Sequence, residues 1–326
     1  MDIQRRRLLH MAGCAALLAP ALPRPARAQP YPSRAVRVVV GFPAGGPLDI
    51  VARTVAPFLS SRFGQEFMVE NRPGASGNTA TSEVARAAPD GHTLLFCGPV
   101  NTINAILFEN LGFDFSRAIA PVASIARVPL VVEVNPSVPV RTVPELLAFA
   151  QDNPGRLKVA FAGVGTPQHI AIELFELMAG VKVTPVPYAG SAPALAGLLR
   201  GEVDAMFDPA PSSMPHIGAG RLIALATTGP TRADALPDVP SVGEFVPGYE
   251  AGSWFGLGAP RDTPGSIVEA LNKAVNDGLA DPAARGRFRD LGATVMPGSP
   301  AAFGQFIASE TEKYRRVIRS AGIKPA

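Results

Sequence analysis

The sequence predicts an α/β fold, and three observations carry that expectation. Continuous apolar runs such as VRVVVGF (36–42) read as strands buried on both faces. They alternate with segments of helical periodicity, and the loops between are short, because 32 Gly and 34 Pro make up about a fifth of the 326 residues. A βαβαβ order with short loops predicts parallel strands, since each crossover helix brings the chain back in the same direction.

In order, the first strand (36–42) turns sharply through FPAGGPLD (42–49), where Pro47 suits the first turn of a helix. That helix presents Ile50, Val51, Val55, Phe58 and Leu59 on one face, and Pro57 predicts a kink or an early end. A second strand (66–71), a loop (72–78), a helix through residue 87 and a third strand within 88–98 follow. Further on, helices are expected over 143–153, 166–180 and 191–201, with strands at 159–163, 183–188, 203–208 and 223–228. SWFGLGAP (253–260) opens a C-terminal section with helices near 264–280, 282–291 and 299–320. The length fits about two domains.

The first 28 residues read as an export signal. Arg5, Arg6 and Arg7 precede a short apolar stretch (11–22), and Ala26-Arg27-Ala28 supplies a cleavage site before Gln29. QRRRLLH (4–10) fits the twin-arginine route as well as Sec. Either predicts a periplasmic protein. Cys14 lies ahead of most of the apolar stretch, which argues against lipidation. Removing five Arg and one Asp leaves 25 basic and 26 acidic side chains, so the formal charge falls from +3 to −1. A nucleic-acid partner, which needs a basic face, is excluded on that ground. Cys97 is then the remaining cysteine, so no intramolecular disulfide is expected, and clustered Cys/His spacing for a structural metal is absent.

Four strand-to-helix loops are rich in small residues: FPAGGPLD, CGPVNT (97–102), AGVGTPQH (162–169) and YAGSAP (188–193). Ligands of open α/β sheets bind at such strand ends, where helix N-termini present unpaired N–H groups that favour anions. The phosphate-loop and dinucleotide motifs are missing, because no Lys follows Gly45-Gly46 and Gln168 stands where a third glycine is required. No G-x-S-x-G nucleophile elbow occurs. His169 and Glu173 stand four apart without the HExxH pattern, and Asp49 reads as a loop-fixing acid at a helix start.

The runs VVVGFPAGGPLDIVAR (38–53), VENRPGASG (69–77), PDGHTLL (89–95) and VPYAGSAPALAGLLRGEVDAMFD (186–208) resemble the Bug family of solute receptors. So do APVASIARVP (120–129), the segment 145–181, RADALPDVPSVGEF (232–245), WFGLGAPRDTP (254–264) and the ending AGIKPA, which together span the mature chain. The family comprises periplasmic binding proteins of tripartite tricarboxylate transporters. The resemblance implies an α/β, two-lobed Venus-flytrap periplasmic binding protein, type II-like, with two interlobe crossovers. Lobe one would be 29–130 plus 253–326 and lobe two 131–252, with hinges near Pro129–Val131 and Gly252–Trp254. It implies a small carboxylate held between the lobes by backbone amides and waters, no cofactor and no metal.

By motif, Phe42, Ala44, Gly45, Gly46 and Asp49 form the first-lobe clamp, lined further by Gly98, Asn101 and Thr102. The second lobe offers Gly163, Thr166 and His169, then Tyr188, Gly190 and Ser191, with Asp208 accepting from the ligand or orienting the loop. Ala162 and Ala189 stand where the family usually has Ser and Lys, which tilts the site toward a monocarboxylate or an apolar-bodied ligand. The expected partners are the membrane subunits of such a transporter, or alternatively a sensor kinase. A secreted α/β hydrolase or isomerase using Asp49 or His169 is the competing class.

Overall fold

The fold is described from a computed structural model, which covers residues 31–108 and 110–323. The expected export signal, residues 1–28, lies outside the described residues. The chain begins with β1 (Val36–Val40), α1 (Pro47–Phe63), β2 (Phe67–Asn71), α2 (Asn78–Ala85), β3 (Thr93–Cys97) and α3 (Pro99–Leu107). Short α4 (Phe115–Ala118) leads into β4 (Ile119–Val128), and after Pro129 alone comes β5 (Leu130–Val134). Next are α5 (Val143–Asp152), β6 (Lys158–Phe161), α6 (Pro167–Ala179), β7 (Thr184–Pro187), α7 (Ser191–Leu199), β8 (Ala205–Pro209), α8 (Ala210–Gly218) and β9 (Ile223–Thr227). The chain closes with β10 (Ser253–Pro260), α9 (Gly265–Ala280), α10 (Pro282–Asp290), β11 (Thr294–Val295) and α11 (Pro300–Ser320).

These strands form two sheets, each the centre of an α/β lobe. The first has the order β11-β4-β10-β3-β1-β2 and the second β7-β6-β8-β5-β9. The chain passes between sheets twice, from β4 to β5 and from β9 to β10.

The sheets are mixed rather than parallel throughout. β1 runs parallel to β2 and β3, and β6 parallel to β7 and β8, as the βαβ order requires. β10 is antiparallel to β3 and β4, and β5 antiparallel to β8 and β9. The reason is topological. β5 and β10 enter directly from the other lobe, so no crossover helix brings the chain back before they pair.

A second departure is α1, which continues past Pro57 to Phe63. Pro57 removes one helical N–H, but it sits on the solvent side, where water reaches the freed carbonyl. The helix ends at Gly64, whose left-handed conformation lets its N–H reach the Ser60 carbonyl.

Each lobe has its own core. Lobe one packs Val39, Val84, Leu95, Trp254 and Phe303, while lobe two packs Val132, Phe161, Phe175, Phe207 and Tyr249. A smaller cluster joins the lobes, with Ile103 and Leu107 of α3 and Ile318 of α11 against Ile170 of α6. Cys97 lies inside the first core, and burial pushes its thiol pKa up to about 12. That thiol stays protonated and unreactive.

Candidate functional site

Three helices begin in the same way. At α1, α3 and α6 an N-cap residue (Gly46, Gly98, Thr166) is followed by proline at the first helical position (Pro47, Pro99, Pro167). Proline brings no N–H there and presets the helical φ. The next amide, of Leu48, Val100 or Gln168, has no acceptor inside its own helix. All three of these residues line one cavity between the lobes. Ser191, opening α7, and Pro209, ahead of α8, complete its second-lobe side. Four helix N-termini thus converge on one small space, which concentrates partial positive charge there.

The cavity is tight, enclosing about 20 Å3, and Phe42, Leu48, Val100 and Ala162 make much of its wall apolar. Among the described residues no Lys or Arg lines it. The lobes touch closely around it. A Cβ on Gly190 would lie 2.8 Å from Pro43 Cδ across the gap, and one on Gly165 would collide with Asn104 Oδ1. Admitting a ligand larger than water therefore requires the lobes to part.

A sequence profile of the tripartite tricarboxylate transporter family receptors, TctC, matches residues 51–323. The chain belongs to that receptor family. It is similar to Protein BugT of Bordetella pertussis, 34% identical with 92% of this chain and 93% of BugT covered. Among solved structures, R. palustris Rpa4515 with adipate matches at a TM-score of 0.89 and 38% identity, covering 91% of this chain and all of that one. MatC of Rhodopseudomonas palustris, with bound malate, matches at 0.83 and 34%, covering 88% and 100%. A two-lobed periplasmic binding protein fold is common to these TctC-family receptors.

Of the residues read from the sequence, Phe42, Gly46, Thr166 and Ser191 line the cavity. The others take supporting places. Asp49 is buried and fully engaged: its Oδ2 accepts from Gly45 N at 3.0 Å, and its Oδ1 from Arg53 Nε and Asn71 Nδ2, both at 2.9 Å. Burial alone would raise its pKa, but those donors more than reverse that, so it lies below the usual carboxylate range. The Gly45 amide, expected to grip a ligand, is therefore committed to Asp49, while Ala44 stands exposed at the loop tip.

The second first-lobe loop is fixed in the same manner. Asn101 Oδ1 accepts from Gly98 N at 3.0 Å and its Nδ2 donates to Thr81 Oγ1 at 2.8 Å. Thr102 Oγ1 donates to the Pro99 carbonyl. These side chains hold the turn rather than face the cavity.

In lobe two, Thr166 caps α6, its Oγ1 donating to Gly163 O and accepting from His169 N. His169 does not line the cavity, and its Nδ1 accepts from the Gly165 amide at 3.5 Å. It stacks on Phe161 with ring centroids 5.1 Å apart and has Glu173 at 3.7 Å, and burial lowers its pKa. Tyr188 lies against Gly197 of α7. Gly163 approaches Ser76 of lobe one.

Asp208 is 0% exposed and does not line the cavity. It accepts from Gln168 Nε2 at 3.2 Å and from Ser212 Oγ, with Ser213 Oγ at 3.4 Å. Ser213 also donates to Glu133 Oε1 at 2.9 Å, and Glu133 too is 0% exposed. Burial, then the charge of Asp208, drives the Glu133 pKa well above 4.5, with Ser213 opposing.

The lining residues not singled out as site residues from the sequence are Pro47, Leu48, Pro99, Val100, Ala162, Pro167, Gln168, Pro209 and Ser253. The cap-proline order at Gly46-Pro47, Gly98-Pro99 and Thr166-Pro167 marks six of them, but the same order at Asp281-Pro282 and Ser299-Pro300 opens helices that do not line the cavity.

Proposed function

We propose that this receptor captures a small carboxylate between its lobes in the periplasm and delivers it to the membrane subunits of a tripartite tricarboxylate-type transporter. The observation that carries this reading is the convergence of four helix N-termini on a cavity without a lysine or arginine. Amide donors at Leu48, Val100, Gln168 and Ser191 would hold the carboxylate, with Thr166 beside them. Phe42, Leu48, Val100 and Ala162 would cover an apolar body, which favours a monocarboxylate or a dicarboxylate with a long methylene chain over a hydroxylated tricarboxylate. The adipate and malate bound by the two R. palustris relatives support carboxylates as the class. Export would follow cleavage before Gln29, and the lobes would hinge at Pro129 and Gly252.

Both residues on which a hydrolase or isomerase reading would rest are already engaged. Asp49 spends both oxygens on Gly45, Arg53 and Asn71, and His169 faces Phe161 and Glu173.

Thermal unfolding of residues 29–326 with adipate, malate and a series of aliphatic and aromatic monocarboxylates tests the proposal. At a hundredfold excess over the dissociation constant, a true ligand adds about 2.7 kcal/mol of stability without added metal or nucleotide. No shift across the panel, together with turnover of a carboxylate ester, would overturn it.

A further inference from the structure

A second cavity, about 690 Å3 in volume, lies at the two lobe crossings, where Ser253 lines both it and the cleft. Spaces of roughly 300–1,000 Å3 are the size that holds whole small-molecule ligands. Its wall carries five basic and three acidic side chains. Arg232 is held by Glu244 at 2.9 and 3.0 Å, and Lys313 by Glu250 at 2.9 Å. Among the described residues Arg127, Arg285 and Arg289 form no ion pair, which leaves the wall net positive with Asp234 and Glu310 included.

Aromatic surface stands beside that charge. Arg127 lies over the Phe306 ring with its Cζ 4.6 Å from the centroid, and Phe306 meets Trp254 edge-on at 5.6 Å. The Trp254 side chain is buried, and its indole N–H is directed at the Glu310 carboxylate. Cations without an ion-pair partner beside an aromatic wall are what an amphipathic anion requires.

We propose that this cavity is a second ligand site, taking a small organic anion with an aromatic body, and that its occupant biases the angle between the lobes. Both lobes line it, Gly229 through Ala235 from one and Trp254 with Phe306 from the other. A ligand gripping both must prefer one lobe arrangement, and through linkage it shifts the cleft's affinity by the factor that a cleft ligand shifts its own. The inference stands apart from the identity of the cleft ligand.

The test is titration calorimetry of residues 29–326 with 1-naphthalenesulfonate, paired with small-angle scattering. We expect one saturable site. Gly286→Trp should abolish it, because a Cβ there meets nothing within 4 Å and the indole would fill the cavity. Arg289→Glu, an exposed change that leaves the core intact, should weaken it about tenfold or more. Lys273→Gln, an exposed change on α9 that lines neither cavity, should leave it unchanged, and the probe should shift the radius of gyration. No saturable binding below about 1 mM, or binding indifferent to both cavity substitutions, overturns the site. Unchanged scattering at saturation overturns the coupling between lobes.

Discussion

Gln168 Nε2 reaches back from the cleft wall to the buried Oδ1 of Asp208 at 3.2 Å while also donating to Ser191 Oγ at 2.8 Å. One amide group thereby joins the start of α6, the start of α7 and the end of β8. Asp208 in turn is linked through Ser213 to Glu133 on β5, beside the first lobe crossing. The second-lobe half of the cleft is therefore set by a buried polar network and not by the apolar core alone. Removing a member of such a buried network costs heavily, because its partners are left without one.

Asp208→Ala should destabilise the protein strongly. It leaves the donors of Gln168, Ser191 and Ser212 facing a void, at about 1–3 kcal/mol for each buried group left unpaired. Asp208→Asn keeps an acceptor for Gln168 and removes the like charge facing Glu133, so its loss should be far smaller. Urea unfolding of both variants decides the matter, and equal midpoints for Asp208→Ala and wild type would refute the network.

Glu133 gives the network a pH signature. Its folded pKa is raised by burial and by Asp208, so the folded state binds more protons than the unfolded chain between the two values. Stability from this group is fully present below the ordinary value of 4.5 and declines as pH rises through the raised folded value. Asp208, raised by its own burial, acts in the same direction, while His169, lowered by burial, acts in the opposite one. Comparison with a variant isolates the effect. From about pH 5 to about pH 8 the wild-type urea midpoint should fall more steeply than that of Glu133→Gln. Parallel curves would show that Glu133 ionises normally.

Much of this architecture is legible in the sequence because it is local. The β-branched run at 36–40, the proline after each N-cap and the glycine ending α6 each act within a few residues. The strand directions of β5 and β10 are not local, since they follow from which lobe the chain is leaving. β4 and β5 escape assignment for a related reason: Pro121 and Pro129 punctuate one apolar run that in fact changes sheets. Small-residue loops mark the four strand ends that meet at the cavity, yet they do not tell which amides stay free. Gly45 N is taken by an acid four residues on, and Asp208 is buried by packing that joins β8 to α6 and α8.

Gly190→Ala should hold the lobes apart. Its backbone has a φ of +141°, which L side chains rarely adopt, and the new methyl would press on Pro43 Cδ across the cleft. Relief comes most cheaply by rotating one lobe away, because each core is complete in itself. Small-angle scattering should report a larger radius of gyration and calorimetry a weaker ligand affinity, with a loss of stability of about 1–3 kcal/mol from the positive φ alone. A variant that scatters and binds like wild type would mean that the lobes do not meet at Pro43 in solution.

The absence of a basic side chain from the cleft wall predicts how affinity responds to arginine replacement. Helix N-termini carry partial charges fixed in the backbone, so side-chain substitution cannot remove them. Replacing each arginine of the mature chain singly by Gln should leave carboxylate affinity within about threefold, a cost well under 1.4 kcal/mol. Arg53 is the one expected exception. It holds Asp49 Oδ1 at 2.9 Å and Asn71 at 3.0 Å, and Asp49 holds the Gly45 amide that shapes the loop. Arg53→Ala should weaken binding through that loop, and Arg53→Lys should restore part of it because an ammonium can still pair with Asp49. Calorimetric titration across the series checks both statements. If removing any other single arginine eliminates binding, the carboxylate is held by that side chain, and the convergence of helix N-termini is not the grip.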